Sequence, residues 1–147
     1  MHKLFTMQSD HPLFRYFTSE EREGIESRGA LVNVAEGEFL IRAGESDSRL
    51  FAVEDGHLDV ETREGKTIAT VGPGDVLGEI SFIDESPRSV SVRAGEDAVV
   101  RVWDQSALLD ELSKHPDLLA KFSVAMNELL VERLRESVRS QGASRSL

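Results

Sequence analysis

The 147-residue sequence contains no cysteine. That excludes disulfides, thiolate nucleophiles and cysteine-ligated zinc, and it fits a reducing, cytoplasmic setting. There is one tryptophan, one tyrosine and four prolines. No run approaches the roughly 18 apolar residues of a membrane span. The opening stretch Met1–Asp10 lacks the apolar centre of a secretory signal. Positive charge is also scarce: 17 Lys and Arg stand against 27 Asp and Glu, for a formal net charge of −10. Such an acidic surface repels phosphate backbones and argues against nucleic acid as the main partner. The four histidines, His2, His11, His57 and His115, form no His-x-His pair. No metal site or Ser/His/Asp constellation can be assembled from them, so the expectation is a non-enzyme with no metal and no cofactor.

What is present divides into three stretches. Residues 1–11 read as a loose N-terminal arm, and Leu13, Phe14 and Phe17 follow as a short apolar cluster. Thr18-Ser-Glu-Glu21 has the form of a capping box and predicts a helix ending near Gly29. From about 30 to 103 short β-type runs alternate with glycine turns. These include Leu31–Val34, Phe39–Ile41, Leu50–Val53, His57–Val60, Thr67–Val71, Val90–Val92 and Ala98–Val102. Asp55-Gly56 and Gly65 both read as hairpin turns. About eight strands at this spacing imply a sandwich, jelly roll or small barrel. After Trp103 the period returns to 3.6 residues, as expected for a helix capped by Asp104 and running to about Lys114. A second helix then starts at Pro116 and runs to about Ser140, and 141–147 read as a frayed tail.

One segment has the composition of an anion cradle. Gly78-Glu79-Ile80-Ser81-Phe82-Ile83 opens a short helix, and Pro87-Arg88-Ser89 enters the next strand ten positions after Gly78. Glycine allows close backbone approach, helix-start N–H groups favour negative charge, and the arginine fork suits phosphate. The pattern, with Gly37-Glu-Phe-Leu-Ile41, Ala43-Gly-Glu45, Arg49–Val53 and Gly72-Pro-Gly-Asp75 upstream, resembles the phosphate-binding cassette of cyclic nucleotide-binding domains. Catabolite activator proteins, protein kinase A regulatory subunits and cyclic-nucleotide-gated channels carry such domains. The resemblance covers about residues 12–140.

The resemblance implies an α+β fold: an eight-stranded jelly-roll β-barrel with an N-terminal helix and C-terminal helices. It implies a cyclic nucleotide sensor for cAMP or cGMP that signals by repositioning its last helix. By the same resemblance Gly78, Ile80, Ser81, Arg88 and Ser89 hold the phosphate, Glu79 accepts the ribose 2′-hydroxyl and Leu77 forms an apolar wall. Ser89 leans towards cAMP. Leu129, Leu130 and Arg133 become candidates for a lid over the base. Leu119, Met126, Leu130 and Leu134 become a candidate homodimer seam on the last helix. The sequence following that helix is too short for a helix-turn-helix, so a stand-alone module with a protein effector is expected. Val90 and the Asp84-Glu85 pair support a different reading, an interaction scaffold that keeps the fold without binding nucleotide.

Overall fold

The computed structural model describes residues 12–143, with side chains through Glu136. The expected arm at 1–11 therefore lies outside the described residues, as does the tail beyond Ala143. A short 3₁₀ turn, Pro12–Phe14, leads into helix α1 (Ser19–Glu26). The Thr18 capping box forms as its sequence predicts: Thr18 Oγ1 accepts from Glu21 N at 3.1 Å, and Glu21 Oε1 accepts from Thr18 N at 2.9 Å. Eight strands follow: β1 (Ala30–Val34), β2 (Phe39–Ile41), β3 (Leu50–Asp55), β4 (Leu58–Glu61), β5 (Thr67–Val71), β6 (Val76–Leu77), β7 (Ser91–Ala94) and β8 (Ala98–Trp103). Helix α2 (Glu79–Asp84) interrupts them between β6 and β7. Helices α3 (Gln105–Ser113) and α4 (Pro116–Ala143) complete the chain, α4 continuing a little beyond the expected end at Ser140.

The strands form two antiparallel four-stranded sheets, ordered β1-β8-β3-β6 and β2-β7-β4-β5, the jelly-roll arrangement. One apolar core lies between them and includes Phe51, Val53, Leu58, Val92 and Val100. A second lies between the first sheet and the helices and includes Phe14, Ala52, Trp103, Leu112, Phe122 and Met126. Strand β3 serves both. Leu50 and Ala52 face the helices while Phe51 and Val53 face the opposite sheet, and all four are fully buried. That explains why Leu50–Val53 is a continuous apolar run rather than an alternating one.

The turn at Asp55-Gly56 corrects the hairpin expectation. β3 pairs with β6 and β8, whereas β4 pairs with β5 and β7, so this turn carries the chain from one sheet to the other. Glycine is required there because φ is +77° and a Cβ would lie 2.5 Å from the Asp97 carbonyl oxygen. A tight turn marks a change of direction without fixing the pairing partner. The turn at Gly65, by contrast, does join the paired strands β4 and β5.

Helix α1 is fastened to β8 through polar groups. Trp103 Nε1 donates to the Ile25 carbonyl at 2.9 Å, and Arg101 Nη1 donates to the Glu26 carbonyl at 3.0 Å. Arg101 Nε also donates to Glu54 Oε2 at 3.1 Å, with both side chains buried. Burial pushes the Glu54 carboxyl above its ordinary pKa, and the hydrogen bond from Arg101 only partly offsets this. A carboxyl whose pKa is raised on folding contributes stability that is lost as pH rises through the folded value. The stability advantage of the wild type over Glu54→Gln is therefore expected to grow as pH is lowered from neutral. Urea midpoints of both proteins across pH check this, and a difference independent of pH would contradict it.

Candidate functional site

The β6–α2–β7 segment gathers the cassette residues around one arginine. Gly78 caps α2 in the left-handed region, φ +86°, and has no side chain to crowd the site. A Cβ there would lie 2.8 Å from both Arg88 Nη1 and the Arg49 carbonyl oxygen. Arg88 fills that space. Its Nη1 donates to the Gly78 carbonyl at 3.2 Å and its Nη2 to the Arg49 carbonyl at 2.7 Å. The Arg88 backbone is clasped as well: its N–H donates to Glu45 O at 2.9 Å, and its carbonyl accepts from Gly44 N at 2.7 Å. Side chain and backbone of one arginine thus tie together the N-cap of α2, the residue before β3 and the loop after β2.

The electrostatics leave that cation partly unspent. Arg88 is only 4% exposed, and burial lowers its pKa. Asp47 Oδ2 approaches Nη2 at 3.3 Å, but Asp47 is held more closely by Arg49, at 2.9 and 3.1 Å. Burial alone would raise the Asp47 carboxyl; hydrogen bonds from Arg49 and the nearby Arg88 charge outweigh it and hold the pKa low. Arg88 Nε is buried and has no hydrogen-bond partner among the described residues. An unpaired buried donor costs on the order of 1–3 kcal/mol.

A cavity of about 200 Å³ opens beside this arginine. Its polar side is formed by Gly78, Glu79, Ser81, Arg88 and Ser89. Its apolar lining is formed by Ile41, Val60, Ala69, Val71, Leu77, Ile80, Val90 and Val92. Glu79 and Ser81 are buried, while Ile80 is half-exposed and Ser89 is exposed. The structure therefore brings together Leu77, Gly78, Glu79, Ile80, Ser81, Arg88 and Ser89. From α4 it adds Arg133, whose Nη2 donates to the Val76 carbonyl at 3.0 Å and whose Nε lies 3.6 Å from Glu79 Oε1. Leu129 and Leu130 do not line the cavity. Leu129 is buried in the helix-side core and Leu130 packs against it.

The doubts that the sequence attached to Asp84, Glu85 and Val90 resolve in different ways. Asp84 accepts from Ser86 N at 2.9 Å and Ser86 Oγ at 2.6 Å, and Glu85 is exposed. The carboxylate beside Arg88 is Asp47 instead. Val90 does line the cavity. Asp47, Arg49 and the apolar wall from β2, β4 and β5 escape a reading of the cassette alone, because only strand pairing brings them to it. A larger surface cleft of about 720 Å³ lies between α1 and the α3–α4 turn. Some of its charges are paired, Arg28 with Glu111 at 3.2 Å and Glu21 with Lys121 at 2.7 Å. Among the described residues no cluster of His, Asp and Glu is placed to hold a metal, and no helix is long and apolar enough to cross a membrane.

Comparison with known proteins gives this geometry a family. The sequence profile described as "Cyclic nucleotide-binding domain" matches residues 31–115, more than half of the chain. The chain belongs to the cyclic nucleotide-binding domain family. It is 32% identical over 99 residues to the cGMP-dependent protein kinase egl-4 of Caenorhabditis briggsae, covering 62% of this chain and 13% of the kinase. It is 31% identical over 103 residues to a cAMP-dependent protein kinase regulatory subunit of Mycosarcoma maydis, covering 66% of this chain and 20% of that protein. The chain thus spans a fifth or less of these two relatives. Among solved structures it superimposes on the catabolite activator protein of Thermus thermophilus with a TM-score of 0.80 and 27% identity, over 90% of this chain and 62% of that one. A cyclic nucleotide-binding domain from Methylobacillus flagellatus gives a TM-score of 0.81 at 26% identity, over 98% of this chain and 89% of that one.

Cyclic nucleotide-binding domains are regulatory modules, and in this member the cradle depends on the missing side chain at 78. Gly78→Ala is expected to cost about 1–3 kcal/mol of stability through left-handed strain and to push Arg88 off its two carbonyls. Chemical denaturation measures the first effect. Wild-type stability in this variant would show that the close approach of Arg88 imposes no constraint.

Proposed function

We propose that this chain is a non-catalytic sensor of a cyclic 3′,5′-nucleotide, with cAMP as the first ligand to test and cGMP as the second. The observation that carries this reading is the meeting of two buried, oppositely charged side chains, Arg88 and Glu79, at one cavity with a glycine at its turn. A cyclic phosphate presents one negative charge, which the partly unspent Arg88 fork takes as a charge-assisted contact. Gly78, Ile80, Ser81 and Ser89 complete the phosphate side, and Glu79 accepts the sugar 2′-hydroxyl. Leu77 and the valines of the wall cover the apolar faces of ribose and base. The nucleotide-independent scaffold has less support, since Asp84 is engaged by Ser86 and leaves Arg88 alone. Titration calorimetry with cAMP and cGMP is the test. Arg88→Ala is expected to abolish binding, and Arg88→Lys to weaken it at least tenfold by losing the fork while keeping the charge. Absence of heat with both nucleotides, or unchanged binding by Arg88→Ala, would overturn the reading.

The signalling output proposed for the domain is a homodimer through α4, on a seam that keeps Leu134 and leaves out Leu119, Met126 and Leu130. Met126 is buried against the chain's own core, and Leu119 and Leu130 pack beside it. The outward face carries Ala120, Val124, Asn127, Val131 and Leu134, at alternating spacings of four and three residues. Val124, Val131 and Leu134 are 51%, 38% and 63% exposed. Val124 and Val131 share one heptad position, with Ala120, Asn127 and Leu134 at the other, a seam that a parallel pairing of two copies would cover. Val131→Glu with Leu134→Glu is expected to yield a folded monomer by light scattering coupled to gel filtration. A wild-type chain that stays monomeric at tens of micromolar would overturn this part.

A further inference from the structure

We propose that this site reads the cyclic phosphoribose and not the base, so that the pyrimidine nucleotides cCMP and cUMP are its ligands on a par with cAMP and cGMP. The inference rests on the cyclic nucleotide reading above and widens its ligand class. The polar side chains that β6, α2 and β7 bring to the cavity are gathered at one end. Glu79, Ser81, Arg88 and Ser89 stand there, where phosphate and sugar engage them. The facing wall is one row across the second sheet. Ile41 pairs with Val92, Val92 with Val60 and Val60 with Ala69, on β2, β7, β4 and β5 in turn. Backbone pairing fixes that row, and its side chains carry no donor or acceptor.

Bases are told apart chiefly by hydrogen bonds to their edges. A site built for such bonds rejects a wrong ligand by roughly 10⁴-fold or more, because its own polar groups are then left unpaired. A hydrocarbon wall has only size to work with, about 10–200-fold per methylene where the group is enclosed. Size is blunted here as well. At about 200 Å³ the cavity falls below the roughly 300 Å³ at which pockets enclosing a whole ligand begin. Phosphate and sugar, held at Arg88 and Glu79, take up the enclosed space. The base then rests towards the outer end of the wall, where β5 is exposed from Thr67 to Thr70. Two polar groups of the lining remain. The Ser89 hydroxyl is exposed and both donates and accepts, so it suits either kind of base edge. Arg133 Nη2 is already given to the Val76 carbonyl at 3.0 Å, and the face of its guanidinium stacks on any base alike. An inward movement of α4 would bring Leu129 and Leu130, which add hydrocarbon and no base-reading atom.

Calorimetry on the 147-residue chain with cAMP, cGMP, cCMP and cUMP tests this. The four dissociation constants are expected to fall within about tenfold of one another, the low end of what one enclosed methylene contributes. Ser89→Ala and Arg133→Ala are each expected to keep the four within that range, even where they shift them together. Arg88→Ala is expected to lose all four alike, since one polar end serves every base. A wider spread in the wild type, whichever base it favours, would overturn base indifference and leave the nucleotide reading standing. A spread that opens in either alanine variant at 89 or 133, or a loss confined to some of the four in Arg88→Ala, would do the same. No heat with any of the four would overturn the nucleotide reading itself.

Discussion

The architecture of the site depends on one guanidinium held by two backbone carbonyls, with Asp47 at 3.3 Å as its carboxylate contact. Arg88 donates to the carbonyls of Gly78 and Arg49, two groups from segments far apart in the chain. Neutral acceptors take its shortest contacts and fix its position. A tight ion pair with Asp47 would have held it equally well but cancelled the field that an anion needs. Asp47 instead spends its strongest contacts on Arg49, whose own pKa is raised by that partner. The pair acts as a support that positions the loop and leaves Arg88 polarised towards the cavity.

The remaining elements serve that arrangement. The Arg49 carbonyl immediately precedes β3, which is immobilised by a core on each face. α2 supplies Glu79, with Gly78 as its N-cap, and is anchored through Phe82, whose ring meets Phe122 of α4 edge-on at 6.0 Å. The same helix therefore contacts the cavity on one side and α4 on the other. That contact gives a change at the cavity a physical path to the outer face of α4.

Much of this was legible in the sequence, and what was not has identifiable causes. Seven strands, the capping box at Thr18 and the helices after Asp104 announce themselves through period and punctuation, which are local properties. β6 is only two residues long, Val76–Leu77, and offers no period to detect. Asp55-Gly56 signals a turn, yet sheet membership is decided by long-range pairing that no dipeptide encodes. The cassette residues converge as their resemblance implies, because they lie close together in the chain. On α4 the wide apolar stripe hid two faces: Phe122, Met126 and Leu129 point inwards, while Val124, Val131 and Leu134 point outwards. Hydrophobicity alone could not assign those phases, and so Leu129 and Leu130 fell on the core side while Arg133 reached the cavity.

The double burial of β3 has a bearing on how the domain comes apart. Its side chains alternate between the inter-sheet core and the helix-side core, so neither core can open without exposing half of the same strand to water. The two apolar layers are in this sense one cooperative unit. Heat is then expected to unfold helices and sheets together in a single transition, even though a layer of backbone separates their side chains.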